Sequence, residues 1–197
     1  MATGKSLQQS LHTMLTQAEI DLEMWQAMRK GRSDTEVVIM LNRRYGRFYI
    51  AAENALFNSL ITILYKAFES RKDTVNFSEL RRSLPASMPT GVKEELDALF
   101  AKIKRVWKKI SIVRNNIVGH QSSEGSAGEF HRIAGISIKE LEEVVKDMQH
   151  LLYLIAHHFH DTHVVFNLKG AESFERLLSD LRANNSFKTT RDFPRNS

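Results

Sequence analysis

The chain has 197 residues, 42% hydrophobic and 26% charged, with a net charge of +5. This is the make-up of a globular protein with room for one sizeable core, and its modest basic excess admits an anionic partner such as nucleic acid without requiring one. With no cysteine, disulfides, thiolate metal sites and cysteine catalysis are excluded; no apolar run of about 18 residues and no secretory signal pattern is present, so the expected location is cytoplasmic, with no membrane contact.

Nine Gly and three Pro leave long stretches without a breaker, which favours helices. Leu7, Leu11, Met14, Leu15, Ala18, Leu22 and Trp25 recur at three and four, predicting a helix over residues 6–30 that Gly31 stops. Ser33 and Glu36 stand as a capping box before a long helix to about Lys72. Its middle, FYIAAENALFNSLITILYKAF, is apolar nearly all round, which predicts the central and most buried helix. Asn76 and Glu79 make a second box, opening a short helix that Pro85 ends. A third long helix runs from Val92 to about Gly119, and residues 120–130, rich in Ser and Gly, form a loop. Ser137 and Glu140 are a third box, opening a helix to about His160. DTHVVFNLKG reads as a turn or a short extended piece, residues 171–184 as an amphipathic helix, and 186–197 as a polar tail. The expected fold class is all-α: a bundle of four long helices plus one or two short ones, with residues 1–185 as a single domain.

At about 100° per residue, Val92, Leu96, Leu99, Ile103, Trp107, Ile110 and Ile117 share one stripe of the third long helix, and Arg114 falls inside it. Lys104, Lys108 and Lys109 fall outside. A cation on a buried face is normally paired or hydrogen-bonded. Two readings follow: Arg114 bridges a buried acid, with Glu53 as the candidate, or the stripe continues into a cleft or subunit interface where the guanidinium meets an anion. His120 lies six residues on, about 9 Å along a helix. If the chain turns at Gly119, imidazole and guanidinium converge on one phosphate-sized volume, with the Asn115 and Asn116 amides beside them. Arginine suits bidentate phosphate contact, and histidine moves a proton near neutral pH. Such a set cuts RNA without a metal, because the 2′-hydroxyl is an internal nucleophile and the cation stabilises the developing charge. No dense carboxylate cluster suggests a two-metal nuclease.

The segment RNNIVGH, Arg114 to His120, resembles the arginine–polar–x–histidine signature of the HEPN superfamily. Upstream, RRYGRFYIAAENALFNSLITILYKAFESRKDTVNFSELRRSL is similar to the abortive-infection branch: an aromatic-rich central helix, a charged break, then a short Ser-Leu helix. The resemblance covers about residues 35–160. It implies a helical bundle that forms a homodimer with both motifs facing one cleft. It also implies metal-independent endoribonuclease activity in many members, often as toxins or antiphage effectors, while others bind nucleotides or serve as scaffolds. RNA is the implied partner, a nucleotidyltransferase-type antitoxin another, and no cofactor is expected. Carried over by position, Arg114 would stabilise the phosphate, His120 would transfer the proton and Asn115 would orient them. Gly119 stands where Ala is commoner.

Two basic runs are further candidates for RNA contact, against a reading as solvated faces: Lys104, Lys108 and Lys109 in KIKRVWKK, and Arg43, Arg44 and Arg47 in NRRYGR. In HHFHDTH, His157, His160 and Asp161 stand one helical turn apart, a spacing that can ligate a transition metal. The competing reading is a helix terminus whose histidines favour the negative end of the dipole.

Overall fold

The structure, a computed structural model, describes residues 4–118, 135–167 and 169–186. Among these residues all regular structure is helical: α1 (Gly4–Gly31), α2 (Thr35–Arg44), α3 (Gly46–Phe68), α4 (Phe77–Arg82), α5 (Thr90–Val118), α6 (Ile138–Ile155) and α7 (Gly170–Ser186). The chain beyond α6 widens into a π-helical turn, Ala156–His160, which Asp161 closes in the left-handed conformation at φ 48°. The loop expected at 120–130 and the tail beyond Ser186 lie outside the described residues.

The four long helices α1, α3, α5 and α6 form an up-and-down bundle. Each neighbouring pair is antiparallel, as the cross-contacts show: Trp25 with Phe57 between α1 and α3, Phe68 with Phe100 and Tyr65 with Trp107 between α3 and α5, and Gln26 with Glu142 between α1 and α6. The α5–α6 seam carries Lys102–Asp147 at 2.8 Å, Lys109–Glu140 at 2.5 Å and Glu95–His150 at 3.7 Å. Inside, Leu11, Leu15, Leu60, Leu64, Ile103, Ile110, Met148 and Ile155 are almost fully buried in one continuous core. A smaller cluster of Met28, Val37, Leu41, Tyr49, Phe174 and Leu178 fastens α2 and α7 to one end of α1 and α3. At Gly170, α7 starts flush against α1: an added Cβ would stand 3.0 Å from the Ile20 carbonyl oxygen.

Local chemistry sets the boundaries, and three differ from the sequence reading. The expected helix from Ser33 to Lys72 is two helices, broken at Tyr45 (φ −126°, ψ 5°), and α3 stops at Phe68 because Glu69 turns extended. The cap of α2 is Asp34, whose carboxylate accepts from the Val37 N–H at 3.3 Å, in place of Ser33. The most connected helix is α1, which packs on α3, α4, α6 and α7. α3 instead leaves Phe48 70% and Ile50 55% exposed, so its apolar run is not buried all round. The Ser137–Glu140 box is complete in both directions. Asn76 accepts from the Glu79 N–H at 2.8 Å, but the Glu79 carboxylate turns to Arg82.

Candidate functional site

The face of α5 that meets α3 explains Arg114. Residues seven apart drift about 20° around an ideal helix. Along Leu96, Ile103 and Ile110 the buried line therefore rotates until Val113, fully buried, takes the core position. That leaves Arg114 half-buried at the margin of the apolar face. The acid proposed for it is committed elsewhere: the buried Glu53 carboxylate pairs with Arg32, just beyond α1. Arg114 sits over the Tyr65 ring, with Cζ 4.9 Å from the centroid. Its Nη1 donates to the Asn115 side-chain oxygen at 3.2 Å. No carboxylate among the described residues forms an ion pair with it.

Tyr65 in turn stacks on Trp107, the rings 5.6 Å apart and 20° from parallel. The Trp107 indole N–H donates to the Tyr65 carbonyl at 3.0 Å. A cation over an aromatic face is held by the ring's negative potential while its outward donors stay free. Phe100, Trp107 and Arg114 are seven apart and share one edge of α5. The side chain of Asn116 is occupied, donating to the Ile112 carbonyl at 2.9 Å. Arg114 and Asn115 are thus adjacent near the end of α5. His120 lies outside the described residues.

The basic candidates separate. Lys104 and Lys108 are exposed on the solvent side of this edge, and Lys104 lines a groove with Trp107 and Phe100. Lys109 belongs to the α5–α6 seam, bound to Glu140 and to the Gly135 carbonyl at 2.9 Å. Arg43, Arg44 and Arg47 are exposed near the α2–α3 break. From Arg47 to Tyr65 is eighteen residues of α3, about 27 Å along the axis, so these arginines stand apart from Arg114. Arg81 and Arg82, on α4, line the groove with Lys104. The spacing of Phe100 and Trp107 was the available signal for it.

The metal alternative is not assembled: among the described residues no three His, Asp or Glu side chains converge to hold an ion. His160 bonds through Nδ1 to Gln8 on α1, and burial, followed by the charge of Lys5, holds its pKa below the ordinary histidine value. His157 lies parallel to the Tyr153 ring at 5.9 Å, away from that contact.

The fold is a HEPN-like all-α bundle. The AbiU2 family model matches residues 5–177, and the chain belongs to this HEPN-type abortive-infection family. No curated protein and no solved structure matches the chain. Among the described residues no helix is long and apolar enough to cross a membrane.

Proposed function

We propose that this protein is a metal-independent endoribonuclease of HEPN type, acting as a toxin or antiphage effector in abortive infection. The substrate's 2′-hydroxyl attacks the adjacent phosphorus, the bond to the 5′-oxygen breaks, and a cyclic phosphate and a 5′-hydroxyl result. Arg114 stabilises the charge on the phosphorane, His120 moves the proton from the attacking oxygen toward the leaving one, and Asn115 orients the guanidinium. Two copies sharing one cleft would place both motifs on a single RNA. The observation that carries this reading is Arg114 itself: a half-buried guanidinium, held over Tyr65, with no carboxylate among the described residues to neutralise it.

Arg114→Ala and His120→Ala each lower RNA cleavage by about a hundredfold or more and relieve growth arrest, with helical content unchanged. Equal behaviour of wild type and both variants overturns the reading. The second reading is a non-catalytic interaction or nucleotide-binding module in a toxin–antitoxin or defence complex, a nucleotidyltransferase-type antitoxin among its partners. What favours it is an open apolar cleft of about 520 Å³ between α1, α3 and α7, with Phe48 and Leu177 at its mouth. Exposed apolar surface of this kind marks interaction sites.

A further inference from the structure

A groove of about 940 Å³ runs between α4 and α5. Its apolar lining is mostly aromatic: Phe68, Phe100 and Trp107, with Ala101 between. Its polar rim carries Arg81, Arg82 and Lys104, with Asp97 as the acid among the lining residues. Arg81 lies over Phe100, 4.7 Å from the ring centroid, and pairs with Asp97. Both side chains of that pair are nearly half exposed, 44% and 45%. Pairs so exposed hold weakly, and a phosphate can take the carboxylate's place. Lys104 is exposed and Lys108 follows one turn later, with no ion pair to either among the described residues. Along the edge that carries Phe100, Trp107 and Arg114, the groove leads toward Arg114 over fourteen residues of α5, about 21 Å.

Ring faces along a channel with cations on its rim suit a chain whose bases are free to stack and whose phosphates lie along one side. A duplex meets only half of that requirement, because its bases are already stacked on one another. We propose that the α4–α5 groove binds single-stranded RNA, stacking a base on Trp107, and leads the strand toward Arg114. This rests on the reading of Arg114 as the place where a phosphodiester is met.

The test uses a short 2′-O-methyl oligonucleotide, which offers bases and phosphates but no attacking hydroxyl, so binding is read apart from cleavage. Of the two tryptophans, Trp25 is buried in the core and Trp107 is half exposed, so quenching of emission reports the groove. Saturable quenching is expected, absent in Trp107→Phe and weaker for a duplex of the same sequence. Lys104→Glu, an exposed site where the fold is indifferent, weakens binding about tenfold and lowers its salt dependence. An affinity unchanged in Lys104→Glu, with no quenching in wild type, overturns the groove. Quenching by a protein that cleaves no RNA keeps the groove and removes the ribonuclease. Cleavage indifferent to Lys104→Glu, without quenching, does the reverse.

Discussion

Arg32 has a side chain 49% exposed, and its guanidinium closes on the carboxylate of Glu53, which is only 10% exposed. The same carboxylate, after burial, helps push the neighbouring Tyr49 hydroxyl up to about 12, and that hydroxyl donates to the Met28 carbonyl. Removing Arg32 leaves a charge on Glu53 in a place with little water. Arg114 neutralises no described acid and is held by the Tyr65 ring face and one hydrogen bond to the neighbouring Asn115. The two arginines therefore respond differently to truncation. Arg32→Ala is expected to cost about 1–2 kcal/mol, a buried-pair loss discounted for the exposed half. Arg114→Ala costs less than about 1 kcal/mol, the size of a cation–π contact. Urea unfolding of the two variants checks this, and a larger loss for Arg114→Ala would make it a structural residue.

At the scale of elements, the Ser137–Glu140 cap shows how one carboxylate closes the start of α6 and ties it to α5. Glu140 accepts from the Ser137 N–H at 2.8 Å and from Lys109 at 2.5 Å, while the Ser137 hydroxyl accepts from the Glu140 N–H at 3.1 Å. These contacts, Lys109 first, hold the Glu140 carboxyl below its ordinary value of 4.5. A depressed folded value means the contribution is fully present above 4.5 and is lost as pH falls below it toward the folded value. Ser137→Ala is expected to cost about 1 kcal/mol at neutral pH. In Glu140→Gln the acid limb of stability, followed by circular dichroism, flattens below pH 4.5; a limb identical to wild type would dissociate the cap from that dependence. This cap was legible in the sequence because donor and acceptor lie three residues apart, and Lys109 takes the other carboxylate oxygen of Glu140, leaving one for the Ser137 N–H. The other two boxes were read less well, for physical reasons. Arg82, one turn after Glu79, takes the carboxylate that would have closed the Asn76 box, and Asp34 outranks Ser33 by lying one residue nearer the first turn of α2. Arg114 was singled out by a fixed period, which overstates its burial because the apolar line drifts toward Val113. The ring beneath it, Tyr65, is 49 residues away in the chain, a separation no periodicity reports.

The whole molecule divides its apolar surface unevenly, and this bears on where a rigid site can stand. The large core draws on α1, α3, α5 and α6, whereas α2 and α7 are fastened by the small cluster around Met28, Tyr49 and Phe174. Leu56, only partly buried, packs against both clusters. Helices that bury little open locally at lower free energy than those in the main core. Arg114 and the groove edge stand on α5, in the well-buried part, and catalytic side chains keep their geometry best on such elements. The apolar cleft belongs to the lightly fastened end, where packing against a partner has room to adjust. Amide hydrogen exchange tests the division. Amides of α2 and α7 are expected to exchange faster than those of the α5–α6 seam. Leu41→Ala, which removes a side chain only 6% exposed, is expected to speed exchange in α2 and α7 while leaving the seam near its wild-type protection. If one substitution at Leu41 lowers protection equally across α5 and α6, the two clusters open as one unit, and the cleft and the Arg114 end share a single stability.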